Sequence, residues 1–158
     1  MPSDCVDVWL ADIDAAGEAL DEVERRFSLL TSDERTRASG LEAPTARQWA
    51  RTRVALRTLL ASRLEAEAAR SSFLLSPAGK PRLEGGTLDF SVSHSGRFAL
   101  IGLSPGGPVG VDIETRNQIK MHPDRLRAIE TAAIALSSDP ARVLRLAVAA
   151  SSLDRKAS

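Results

Sequence analysis

Three short runs of β character between Leu88 and Glu114 are joined by connections tight enough to constrain the whole chain. The first spans Leu88 to Ser95 and leads into Ser93-His94-Ser95-Gly96-Arg97; the second spans Phe98 to Leu103. Gly106-Gly107-Pro108 then turns into a third, Val109-Gly110-Val111-Asp112-Ile113-Glu114. This spacing predicts an antiparallel meander. A meander of this size needs helices over one face, and the upstream sequence supplies them.

Val6-Asp7-Val8-Trp9-Leu10 alternates and reads as an opening strand. Asp14 to Leu29 has helical spacing, with Leu20, Val23, Phe27 and Leu30 recurring at three and four. Thr31-Ser32-Asp33-Glu34 is a capping-box pattern, so a short helix bearing Arg35 and Arg37 is expected to start there and stop near Gly40. Pro44 to Arg70 is the longest helical stretch, with Trp49, Leu56, Leu59, Leu60 and Leu64 on one arc. Arg53 falls inside that arc. A guanidinium there either snorkels to the edge of the apolar face or meets an anion held against the core. Ser76-Pro77-Ala78-Gly79-Lys80-Pro81 is turn chemistry. Two more helices are expected, one from Pro123 to about Leu136 and one capped by Ser138-Asp139-Pro140. The class is α+β.

Composition excludes some functions and leaves others open. Lys+Arg equals Asp+Glu at 21 each over 158 residues. A chain with no net field gives no bulk attraction to nucleic acid or membrane, so an anion site has to be a local cluster. No apolar run approaches the roughly 18 residues that span a bilayer. Cys5 is the single cysteine, which rules out an intrachain disulfide and fits a reducing cytoplasm. Met1-Pro2-Ser3-Asp4 lacks the basic and apolar regions of a signal peptide.

A few residues carry chemistry. Asp112 and Glu114, two apart on the expected third strand, would present both carboxylates to one side, a half-site for Mg2+. The ordinary alternative is a solvated acidic strand end. His94 shares strand parity with Phe90 and Val92 and points to the apolar side or its rim. Ser93 points the opposite way, so Ser93 and His94 do not make a nucleophile–base pair, and the chain has no G-x-S-x-G elbow. Lys80 sits in a Gly-Lys-Pro turn that Pro81 stiffens.

Taken in order, Gly79-Lys80-Pro81, Phe90 through Phe98 and Val109 through Glu114 resemble the serial pattern of the surfactin-synthetase-activating type of 4'-phosphopantetheinyl transferase, in the holo-acyl-carrier-protein synthase superfamily. Leu30 through Arg37 and Arg53 through Arg57 are similar to the family's basic helix start and arginine-bearing helix. The likeness covers about residues 6 to 116. It implies an enzyme that moves phosphopantetheine from coenzyme A to a serine of an acyl or peptidyl carrier protein. By resemblance, Arg35, Arg53 and Lys80 contact the phosphates, Ser93 and His94 contact the nucleotide, and Asp112 and Glu114 hold Mg2+. Asp112, Glu114 and His94 then form the catalytic set.

The family fold is two similar halves. The resemblance therefore implies a first half over residues 1–108 and a shortened second half over 109–158 carrying the metal strand and two helices. A homodimer is one way to cover the first half's partner surface. The family's Trp-x-x-Lys-Glu helix is not matched: Ala147, Ala150 and Ser151 stand at its three defining positions, with Arg155 or Lys156 near the last lysine. That departure favours the alternative of a catalytically impaired relative that binds coenzyme A or a carrier protein without turnover. Ser91, where the family often has asparagine, is a milder departure.

Overall fold

The structure, a computed structural model, describes residues 6–114. Residues up to Asp112 belong to one compact unit. The two helices expected beyond Pro123, the altered Trp-x-x-Lys-Glu segment and most of the expected second half lie outside the described residues.

The unit is α+β. Its elements run β1 (Asp7–Asp12), α1 (Gly17–Phe27), α2 (Ser32–Ser39), α3 (Ala43–Ala61), α4 (Ala66–Arg70), β2 (Leu74–Leu75), β3 (Pro81–Arg82), β4 (Asp89–Ser95) and β5 (Phe98–Ser104). β1, β5 and β4 form an antiparallel sheet in that order, and β2 and β3 form a small separate ribbon. The β4–β5 hairpin closes with Ser95 opposite Phe98. Gly96 takes φ 56 in its loop, a conformation that costs other residues more. Gln48 of α3 donates to the Gly96 carbonyl and ties the hairpin tip to the helix.

Strand parity sorts the side chains. Phe90, Val92 and His94 share a face with Ala99, Ile101 and Leu103; Asp89, Ser91 and Ser93 share the other with Ser104, Gly102 and Leu100. The first face packs on α3. Phe90, Ala99, Ile101 and Leu103 form one core with Ile13, Ala55, Leu56 and Leu60. Apolar burial of this kind is worth roughly 25 cal/mol per Å² and orients the helix on the sheet.

Two expectations are corrected. The third strand of the meander does not form: residues 109–114 carry no strand pairing. The physical reason is occupancy, because β5 is already paired on one side by β4 and on the other by β1. With that strand goes the premise that Asp112 and Glu114 share one strand face. The long helix is also two helices. α3 ends at Ala61, where the Ser62 hydroxyl donates to the Leu59 carbonyl, and α4 restarts at Ala66. The break turns the carbonyls of Ala69 and Ser71 inward, where both accept from Arg57. A smaller correction concerns α1, whose Phe27 is 50% exposed although its spacing matches the buried stripe.

Candidate functional site

The capping box read from the sequence is present and does more than cap. The Thr31 hydroxyl accepts from the Glu34 amide at 3.2 Å, and the Glu34 carboxylate accepts from the Thr31 amide at 3.0 Å. The same carboxylate reaches across to α3. It accepts from Arg57 Nε at 3.1 Å and Nη2 at 2.9 Å, and lies 3.5 Å from Arg53 Nε. Arg57 spends its remaining nitrogen on the carbonyls of Ala69 and Ser71 at 2.9 and 2.7 Å, and its guanidinium lies 4.0 Å from the Phe73 ring centroid.

Arg53 is one turn earlier on the same helix. It stacks between Trp49 and Phe73, 5.0 and 5.4 Å from their centroids. Its Nη atoms make no hydrogen bond among the described residues. Burial pushes the Arg53 guanidinium below its usual range, the nearby charges of Arg57 and Arg37 add to this, and Glu34 opposes it. Arginine stays cationic regardless, so Arg53 is a partly desolvated cation with donors to spare.

Arg53 opens into a cavity of about 410 Å³. Trp49, Leu56, Phe90 and Val92 give it apolar walls, and Lys80, His94, Val109 and Gly110 also line it. Lys80 is aimed there by the β2–β3 ribbon. The Ser76 amide donates to the Lys80 carbonyl at 2.8 Å, and the Lys80 amide donates to the Ser76 hydroxyl at 3.1 Å. The Lys80 ammonium is not bare: it donates to Asp89 at 2.6 Å and to the Val109 carbonyl at 2.8 Å. Burial pushes the Asp89 carboxyl up. Hydrogen bonds from Lys80, Val109 and Phe90, together with the Lys80 charge, overcome that and hold it below its usual range.

The structure thus brings Arg53, Lys80 and His94 to one cavity from three separate elements. It does not bring Arg35 there; Arg35 pairs with Glu24 at 2.8 Å, and the Glu24 carboxylate also caps the amides of Leu29 and Leu30. Ser93 is on the opposite sheet face from His94 and donates to Asp112 at 2.9 Å. Glu114 lies outside the compact unit. Among the described residues, no three His, Cys, Asp or Glu side chains gather into a metal cluster.

Sequence reasoning left out Asp89 and gave Glu34 only its capping role. The missing signal for Glu34 was the Arg53–Arg57 spacing, which puts two guanidinia on one side of a helix and calls for a shared carboxylate. Nothing local marks Asp89, because its partners are 9 and 20 residues away.

No family model matches the chain. It is 41% identical over 91 residues to a protein of Synechocystis sp. whose name assigns it, provisionally, to the 4'-phosphopantetheinyl transferases; the match covers 55% of this chain. The chain spans 37% of the length of that relative. No helix among the described residues is long and apolar enough to cross a membrane.

Proposed function

We propose that the chain is a phosphopantetheinyl-transferase relative whose cavity takes the phosphate-bearing part of coenzyme A. The observation that carries this is the convergence of Arg53, Lys80 and His94 on one apolar-walled cavity of about 410 Å³. An adenine ring suits the Trp49, Phe90 and Val92 walls, and a phosphate suits a guanidinium with unspent donors. The likeness to the Synechocystis protein supports the same reading.

In the reaction this implies, the hydroxyl oxygen of a carrier-protein serine bonds to the β-phosphorus of coenzyme A. The bond from that phosphorus to 3',5'-ADP breaks, and the serine proton passes to a base. Asp112, with Glu114 two residues on, offers only hard oxygens, the donor type Mg2+ takes. The set is small, so such an ion would complete its shell with phosphate oxygens and water. When bound, Mg2+ would supply charge neutralisation on the pyrophosphate. Arg53 would hold phosphate charge, and His94 at the rim would donate to the nucleotide.

The alternative, binding without turnover, draws on Ala150 and Ser151, which stand where the family's lysine and glutamate belong. Neither side chain can carry a phosphate charge or act as a base, and a general base contributes roughly 10²–10⁴-fold. An intact-mass assay with coenzyme A, Mg2+ and a panel of apo carrier proteins decides between them. A gain of one phosphopantetheine that disappears in Asp112→Ala establishes the transferase. No gain across the panel, with coenzyme A still bound, favours the non-catalytic relative.

A further inference from the structure

The segment after β5 returns across β4 without pairing to it, and side chains hold it. Asp89 Oδ2 accepts from the Val109 amide at 2.7 Å, and Lys80 Nζ donates to the carbonyl of that residue at 2.8 Å. Two residues on, the Ser91 hydroxyl accepts from the Val111 amide at 3.1 Å. Two further on, the Ser93 hydroxyl reaches Asp112 at 2.9 Å. Asp89, Ser91 and Ser93 alternate along β4 and so face one way, each gripping one point of the segment. Gly102 lies opposite Ser91 beneath it. A Cβ at Gly102 would come within 2.8 Å of a Val111 methyl and 3.3 Å of a Val109 methyl. The valines therefore pack where only hydrogen leaves room.

We infer that Asp89 and Lys80 act together as a latch, with Asp89 a positioning residue that fixes the 109–112 segment as the wall of the coenzyme A cavity. Val109 and Gly110 line that cavity, so the latch sets its shape. The ammonium of Lys80, neutralised by Asp89, contributes geometry more than net charge. This rests on the functional reading above for its ligand and on the hydrogen bonds alone for the latch.

The two roles of Lys80 predict opposite signs. If Lys80 were simply a phosphate contact, removing the neighbouring carboxylate would free its charge, and Asp89→Ala would tighten coenzyme A binding. The latch predicts the reverse. Asp89→Ala and Lys80→Met each weaken binding about tenfold, and the double variant weakens it little further, because charge-assisted bonds acting through one network do not add. Ser91→Ala weakens binding less, and Ser91→Thr, which keeps the hydroxyl, restores it. Tighter binding in Asp89→Ala, or full additivity of the two variants, overturns the latch.

Amide hydrogen exchange on the full chain without ligand gives an independent reading. Val109 and Val111 should be protected in the wild type, and both should exchange faster in Asp89→Ala. Fast exchange at Val109 in the wild type contradicts the latch whether or not coenzyme A binds. Intact protection with no coenzyme A binding instead contradicts the ligand assignment and leaves the latch standing.

Discussion

Arg53 and Arg57 lie one turn apart on α3, contact the same Glu34 and stack on the same Phe73 ring, yet their donors are engaged differently. Arg57 is fully buried, and all three of its nitrogens are engaged, two by Glu34 and the third by two carbonyls. Arg53 has one loose contact to Glu34 at 3.5 Å and faces a cavity. Burial does not separate a structural cation from the one proposed to bind, since both are largely withdrawn from water. What separates them is the count of donors left over. A guanidinium with its donors spent holds helices together; one with donors unspent pays for its desolvation only when an anion arrives.

The comparison can be broken by variants that ask the two arginines different questions. Arg57→Met should have the largest effect on stability, about 3–5 kcal/mol by urea denaturation, because Glu34 and two carbonyls lose their donors together. A loss below about 1 kcal/mol would show that the network is not structural. Glu34→Gln keeps the shape but removes the shared charge, and should cost about 1.5–3 kcal/mol, mostly through Arg57. Thr31→Ala removes one arm of the capping box and should cost about 1 kcal/mol, lowering the melting temperature without altering the cavity. Arg53→Ala should cost about 0.5–1 kcal/mol of stability, the scale of an aromatic stacking contact. A loss as large as that of Arg57→Met would erase the distinction between them.

Much of this was legible in the sequence. The α+β class, the opening strand, the β4–β5 hairpin and the capping box follow from local patterns, which period and turn chemistry determine. Arg53 stood out because it interrupts an apolar arc. The failures share one cause, competition between distant segments. Val109 to Glu114 has the composition of a strand, but β1 from the far end of the sequence takes the edge it would have used. Pro44 to Arg70 has unbroken helical spacing, but Ser62 closes α3 by donating to the Leu59 carbonyl, and the carbonyls of Ala69 and Ser71, which helical bonding leaves open at the far end, accept from the buried guanidinium of Arg57. Arg35, a phosphate contact by the family resemblance alone, pairs with Glu24, 11 residues away, a partner that no local pattern marks. The role of Gly102 could not be seen at all, since the valines it admits lie beyond the next turn.

The most direct test of the central claim is a calorimetric titration of coenzyme A into the wild type and Arg53→Ala at two salt concentrations. The account predicts binding that weakens with salt, and a loss on the order of tenfold to a hundredfold in Arg53→Ala while the fold persists. Equal affinity in the two proteins, or no binding by the wild type, would contradict the assignment of this cavity to coenzyme A.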